Sequence, residues 1–85
     1  SSDLLDDYPQ ALEIIDSALV SLPDDASLFY RKSAYLFILG RTREASELLI
    51  KAMSADKDGL EAMFEFAPVL KRHPLIIDIV ANFDN

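Results

Sequence analysis

Apolar residues recur along this chain at helical rather than strand spacing. From Tyr8 onward, Ala11, Leu12, Ile15, Ala18, Leu19 and Leu22 return every three or four positions, so one face of a helix running to about Ser21 is apolar. Asp7 followed by Gln10 reads as a capping box for its start. Pro23, Asp24 and Asp25 stop that helix and place acids at the positive end of the next one, Ala26 to Leu39.

Gly40 is expected at positive φ as a left-handed C-cap, and Arg41 to Arg43 as a tight turn. A third helix then carries Ala45, Leu48, Leu49, Ala52 and Met53 on one face. A connection this short predicts that the second and third helices run antiparallel. Asp58 with Glu61 reads as another capping box, opening a fourth helix through Met63, Phe64 and Phe66 that Pro68 should end or kink. Pro74 suits the first turn of a fifth, through Ile76, Ile79, Val80 and Phe83.

Shifting the sequence against itself by 34 residues aligns Ala11 with Ala45, Glu13 with Glu47, Ala18 with Ala52 and Asp24 with Asp58. Ile14, Ile15 and Leu19 then face Leu48, Leu49 and Met53. A fixed period of this length is the mark of stacked helical hairpins. In residues 26–59, Phe29 and Ser33 stand four apart, Leu36 follows, and Ala45 and Leu49 form an Ala-x3-large pair; Gly40 and Ala52 complete the set. This stretch resembles the tetratricopeptide repeat, with Phe29 in place of its Trp, Ser33 of its Gly, Leu36 of its Tyr and Leu49 of its Phe. Lys32 and Lys57 depart from the family's Leu and closing Pro, although Pro23 fills that closing position one repeat earlier.

The resemblance implies an all-α fold of about five helices, antiparallel hairpins stacked in a right-handed superhelix. The chain would be one domain, residues 1–85: 1–25 the second helix of a truncated repeat, 26–59 a complete repeat, and 60–85 a degenerate capping hairpin. Small residues at Ser33, Ala45 and Ala52 would let helix backbones approach closely. It also implies a groove lined by first helices, here Tyr30, Ala34, Phe37 and Phe64, fit for a peptide with hydrophobic anchors. The chain's own last helix, or a neighbouring repeat, covering those four residues is the competing expectation. Family members that grip a C-terminal carboxylate do so through Lys and Asn in the groove. This chain has asparagine only at Asn82 and Asn85.

Composition agrees with the periodicity. Hydrophobic residues make up 51% of the 85, and only two glycines and four prolines interrupt them, enough for one small helical core. The net charge of −7, with eight scattered basic residues, argues against nucleic acid as partner. No apolar run approaches the about eighteen residues that span a bilayer, and Asp3, Asp6 and Asp7 are unlike the basic start of a signal peptide. The chain reads as soluble, its compartment unspecified; with no cysteine, disulfides and thiolate chemistry are absent.

Candidate chemistry is thin. His73, the single histidine, sits between Arg72 and Pro74 with no sequence partner for base or metal work, and is expected at a helix start on the surface. Asp56-Lys57-Asp58-Gly59 imitates the opening of a calcium loop, but Ala67 occupies the position of its closing Glu. The pairs Asp6-Asp7 and Asp24-Asp25 fall at helix starts, where capping explains them. Arg41, Arg43, Lys71, Arg72 and His73 fall at turns inside hairpins, and Asp24, Asp25, Asp56 and Asp58 between hairpins, as helix-end complementation predicts.

The sequence thus predicts a cofactor-free, non-catalytic scaffold for a peptide or protein partner. A capping or oligomerisation unit, or a regulatory domain attached to a catalytic one, fits the same residues. Exposure of Tyr8, Leu12, Ile15 and Leu19 on an orphaned first helix would drive a two-fold homodimer.

Overall fold

The computed structural model describes residues 7–83, so Asp3, Asp6 and Asn85 lie outside the described residues. Five α-helices follow one another: α1 Tyr8–Ser21, α2 Ala26–Ile38, α3 Thr42–Ala55, α4 Gly59–Phe66 and α5 Pro74–Asn82, with a 3-10 turn at Pro68–Arg72. No strand occurs among the described residues. The all-helical expectation is met.

Local chemistry sets the boundaries. Asp25 has extended backbone, and its Oδ1 accepts from the Ser27 and Leu28 amides at 2.9 and 3.3 Å. The Ser27 hydroxyl donates to the same oxygen, and these bonds hold the Asp25 carboxyl below the usual carboxylate range. Gly40 has φ 85 and closes α2 by donating to the Phe37 carbonyl, while the Arg41 amide reaches the Leu36 carbonyl. This pair of bonds is a Schellman C-cap. Only Arg41 of the expected turn lies outside a helix, because α3 begins at Thr42; its guanidinium pairs with Glu44.

Two expected capping boxes do not form. Asp7 and Asp58 precede α1 and α4, but neither side chain accepts a cap bond. The reason is backbone geometry: Asp58 at φ −66, ψ −20 is already helical, and Asp7 at φ −94, ψ 2 has also left the extended region a side-chain cap requires. Backbone carbonyls take the first amides of α4 instead, Asp56 accepting from Gly59 and Lys57 from Leu60, while the Asp56 Oδ1 accepts from the Asp58 amide; Pro9 presets the first turn of α1. Pro68 ends α4 as expected, leaving Ala67 at φ −137, ψ 79. His73 caps α5 through Nδ1, which accepts from the Leu75 amide, and its half-buried ring lies 4.8 Å from that of Phe37.

The core is centred on α2. This helix makes its most extensive contact with α3, joined to it by three residues and so running antiparallel, and it also touches α1 and α4; α3 in turn touches α4 and α5. Ser33, Ala34, Ala45, Leu49 and Ala52 are fully buried. Ser33 costs the core nothing in unmet polarity, because its hydroxyl donates to the Ala45 carbonyl at 2.8 Å across the α2–α3 contact. Lys32 bridges to Asp16 of α1 at 2.6 Å, a partly exposed pair worth about 1 kcal/mol at most.

Candidate protein-binding groove

The stripe expected to line an open groove lies inside the protein. Tyr30, Ala34 and Phe37 are 3%, 0% and 4% exposed, and Phe64 is half-buried against the same core. Their cover comes from the chain itself. The Tyr30 hydroxyl donates to the Asp56 carbonyl, its ring lies directly over Gly59 at the start of α4, and the His73 ring packs at a tilt against Phe37. Burial, followed by the charges of Asp56 and Asp58, pushes the Tyr30 hydroxyl pKa up to about 12.

The expected self-association face turns inward as well. Leu12 and Ile15 are buried, and Leu19 is half-buried against the core. Tyr8 is half-buried, its ring centroid 5.3 Å from that of Tyr35. These positions form the side of α1 that packs on α2, so an apolar stripe read as orphaned is the one in use. The exposed apolar residues of α1 and its end are instead Ile14, Val20 and Leu22, at 64%, 83% and 54%.

A groove is open beside this stripe, and of the four expected residues only Tyr30 lines it. A cavity of about 450 Å³ runs between three helices, walled by Ala11, Ile14 and Ala18 of α1 and by Ala62 and Phe66 of α4. Its floor is the side of α2 carrying Leu28, Tyr30, Arg31 and Tyr35. Aromatic rings tie the walls together: Tyr35 lies 5.3 Å from Tyr8 and, edge-on, 5.3 Å from Phe66, and the Arg31 guanidinium sits 4.6 Å above the Phe66 ring. Ser27 and Asp56 mark the opposite end.

Periodicity pointed to the neighbouring faces because they are equally apolar. Leu28, Arg31 and Tyr35 recur at i, i+3 and i+7, a helical stripe in its own right, but Arg31 within it makes the stripe read as solvent-facing. The signal available was the near-absence of charge on α2: Arg31 and Lys32 are its only charged residues. A helix with so little charge is flanked by others on most of its sides.

The groove offers shape, apolar area and two ends of different polarity. Among the described residues no three or more His, Asp or Glu side chains are placed to hold a metal ion. No helix there is long and apolar enough to cross a membrane. No family model, curated protein or solved structure matches the chain.

Proposed function

We propose that the chain is a tetratricopeptide-like, non-catalytic interaction module that receives a partner's apolar side chains in the groove between α1, α2 and α4. The observation that carries this reading is the groove itself, an uncovered 450 Å³ space bordered by Ile14 and Phe66, which are 64% and 40% exposed. Water disfavours such a patch, and burying it at about 25 cal/mol per Å² stabilises a complex. The repeat reading is supported by the 34-residue offset and by contact between the two later hairpins, α2 with α4 and α3 with α5.

Selection of helical peptides from a display library, followed by NMR mapping of the best binder, tests the proposal. Shifts should concentrate on Ile14, Leu28, Tyr35 and Phe66, and Ile14→Asn should remove binding while leaving the helical circular dichroism intact. Shifts gathered on another face would overturn the reading. A second reading, a homodimer through α1, rests on exposed Ile14, Val20 and Leu22. Light scattering across concentration decides it: a monomer with the groove still competent for peptide rules it out.

A further inference from the structure

The groove's chemistry narrows the kind of partner it fits, on the assumption that it is a binding groove at all. Its walls and floor are helices whose backbone donors and acceptors are already paired, so no strand edge is offered and an added β-strand has nothing to bond to. A helical partner satisfies its own backbone and needs only side-chain contact. From Ser27 to Tyr35 the floor is nine residues long, a rise of about 12 Å or two helical turns. That length admits three anchors at i, i+3 or i+4, and i+7.

Charge is uneven along this path. The turn between α1 and α2 carries Asp24 and Asp25, and the turn between α3 and α4 carries Asp56 and Asp58. Both turns lie at the end of the groove where Ser27 and Asp56 line it. The cations nearby are drawn to aromatic rings: Arg31 lies over Phe66 at the other end, and the Lys57 ammonium lies 5.8 Å from the ring centroid of Phe83, just past the end of α5. The field of Asp56 and Asp58 reaches the groove, since both raise the Tyr30 hydroxyl's pKa. A second copy of this chain would bring the same excess of negative charge, −7, against it.

We propose that the occupant is a cationic amphipathic helix, with two turns of aliphatic anchors between α1 and α4 and a lysine or arginine beside Asp56 and Asp58. Rim carboxylates steer such a helix in and fix its direction, while the apolar floor holds it.

Two fluorescein-labelled synthetic helices with the same leucine stripe, one with lysine and one with glutamate at its flanks, test this by anisotropy on the full chain. The lysine peptide should bind roughly five- to tenfold more tightly, as two exposed ion pairs would give. The preference should fade at about 1 M salt, where the screening length is about 3 Å. It should also fade in the triple variant Asp24→Asn/Asp56→Asn/Asp58→Asn, which removes three of the four rim charges, keeps the Asp25 cap of α2 and leaves a side-chain carbonyl at position 56 to accept from the backbone amide of residue 58. Equal binding of both peptides, with the triple variant unchanged, overturns the cationic partner and leaves the groove reading standing. No binding of either peptide, or binding indifferent to both Ile14→Asn and Phe66→Ala, overturns the two together. Dimerisation that competes with the peptide makes a second copy the occupant and overturns the proposal.

Discussion

Replacing Gly59 with alanine adds a single methyl group and isolates one contact in this fold. Its Cβ would stand 2.5 Å from Cε2 and 2.9 Å from Cδ2 of Tyr30, inside van der Waals distance. The ring cannot retreat easily, being 3% exposed with its hydroxyl bonded to the Asp56 carbonyl. Overpacking of this kind costs about 1 to 3 kcal/mol. Losing the hydroxyl's hydrogen bond adds about 1 kcal/mol. Alanine's better helix propensity returns at most about 1 kcal/mol, and less at the first residue of α4. The net expectation is destabilisation by about 1 to 3 kcal/mol, a fall in Tm of roughly 4 to 24 °C for a domain of this size. Urea unfolding of Gly59→Ala, Tyr30→Leu and the double variant forms the cycle. In the Tyr30→Leu background, which lacks the clashing ring atoms, Gly59→Ala should be neutral or slightly stabilising. A stabilising Gly59→Ala in the parent chain, or one equally costly in both backgrounds, would refute the argument.

Gly40 answers to a different cause: a Cβ there meets no atom within 4 Å, so only its φ of 85 is at stake. Gly40→Ala should cost about 1 to 2 kcal/mol and Gly40→Val more, measured by thermal melts. Ala45 is fully buried where Ser33 bonds to its carbonyl, so Ala45→Leu should cost about 1 to 3 kcal/mol by urea titration. Tyr30 ionises near 10 when unfolded and about 12 when folded, so its contribution holds below pH 10 and is lost as pH rises to 12. The loss amounts to about 2 to 3 kcal/mol, and Tyr30→Phe, which cannot ionise, should show a shallower alkaline fall than the parent.

Legibility of the fold followed the locality of each signal. Gly40, Pro68 and Pro74 act through their own backbone restrictions, and each stands where the sequence placed it, at a helix end or first turn. The capping boxes at Asp7 and Asp58 failed because a side-chain cap depends on φ and ψ of the capping residue, which residue type leaves open. Gly59 reads in the sequence only as part of a spurious calcium loop. Its role depends on Tyr30, 29 positions earlier, and on the close approach of α4 to α2. No local pattern carries such a contact.

The candidate site turned on a choice between faces of one helix. Phe29, Tyr30, Ser33, Ala34, Leu36 and Phe37 of α2 are all buried, a set too wide for one stripe, because α1, α3 and α4 all pack on this helix. Repeat phasing could say which residues belong to α2's apolar surface, but not which sector the chain leaves uncovered. That depends on how far α4, eight residues long, reaches before Pro68 ends it. The 3-10 turn then carries the chain away to α5, which packs on α3. The α2 sector through Leu28, Arg31 and Tyr35 is consequently walled by α1 and the short α4 but left open above. Arg31 can occupy a largely apolar floor because its guanidinium lies over Phe66 rather than unsupported. The same proline that limits α4 therefore helps leave a two-turn groove uncovered.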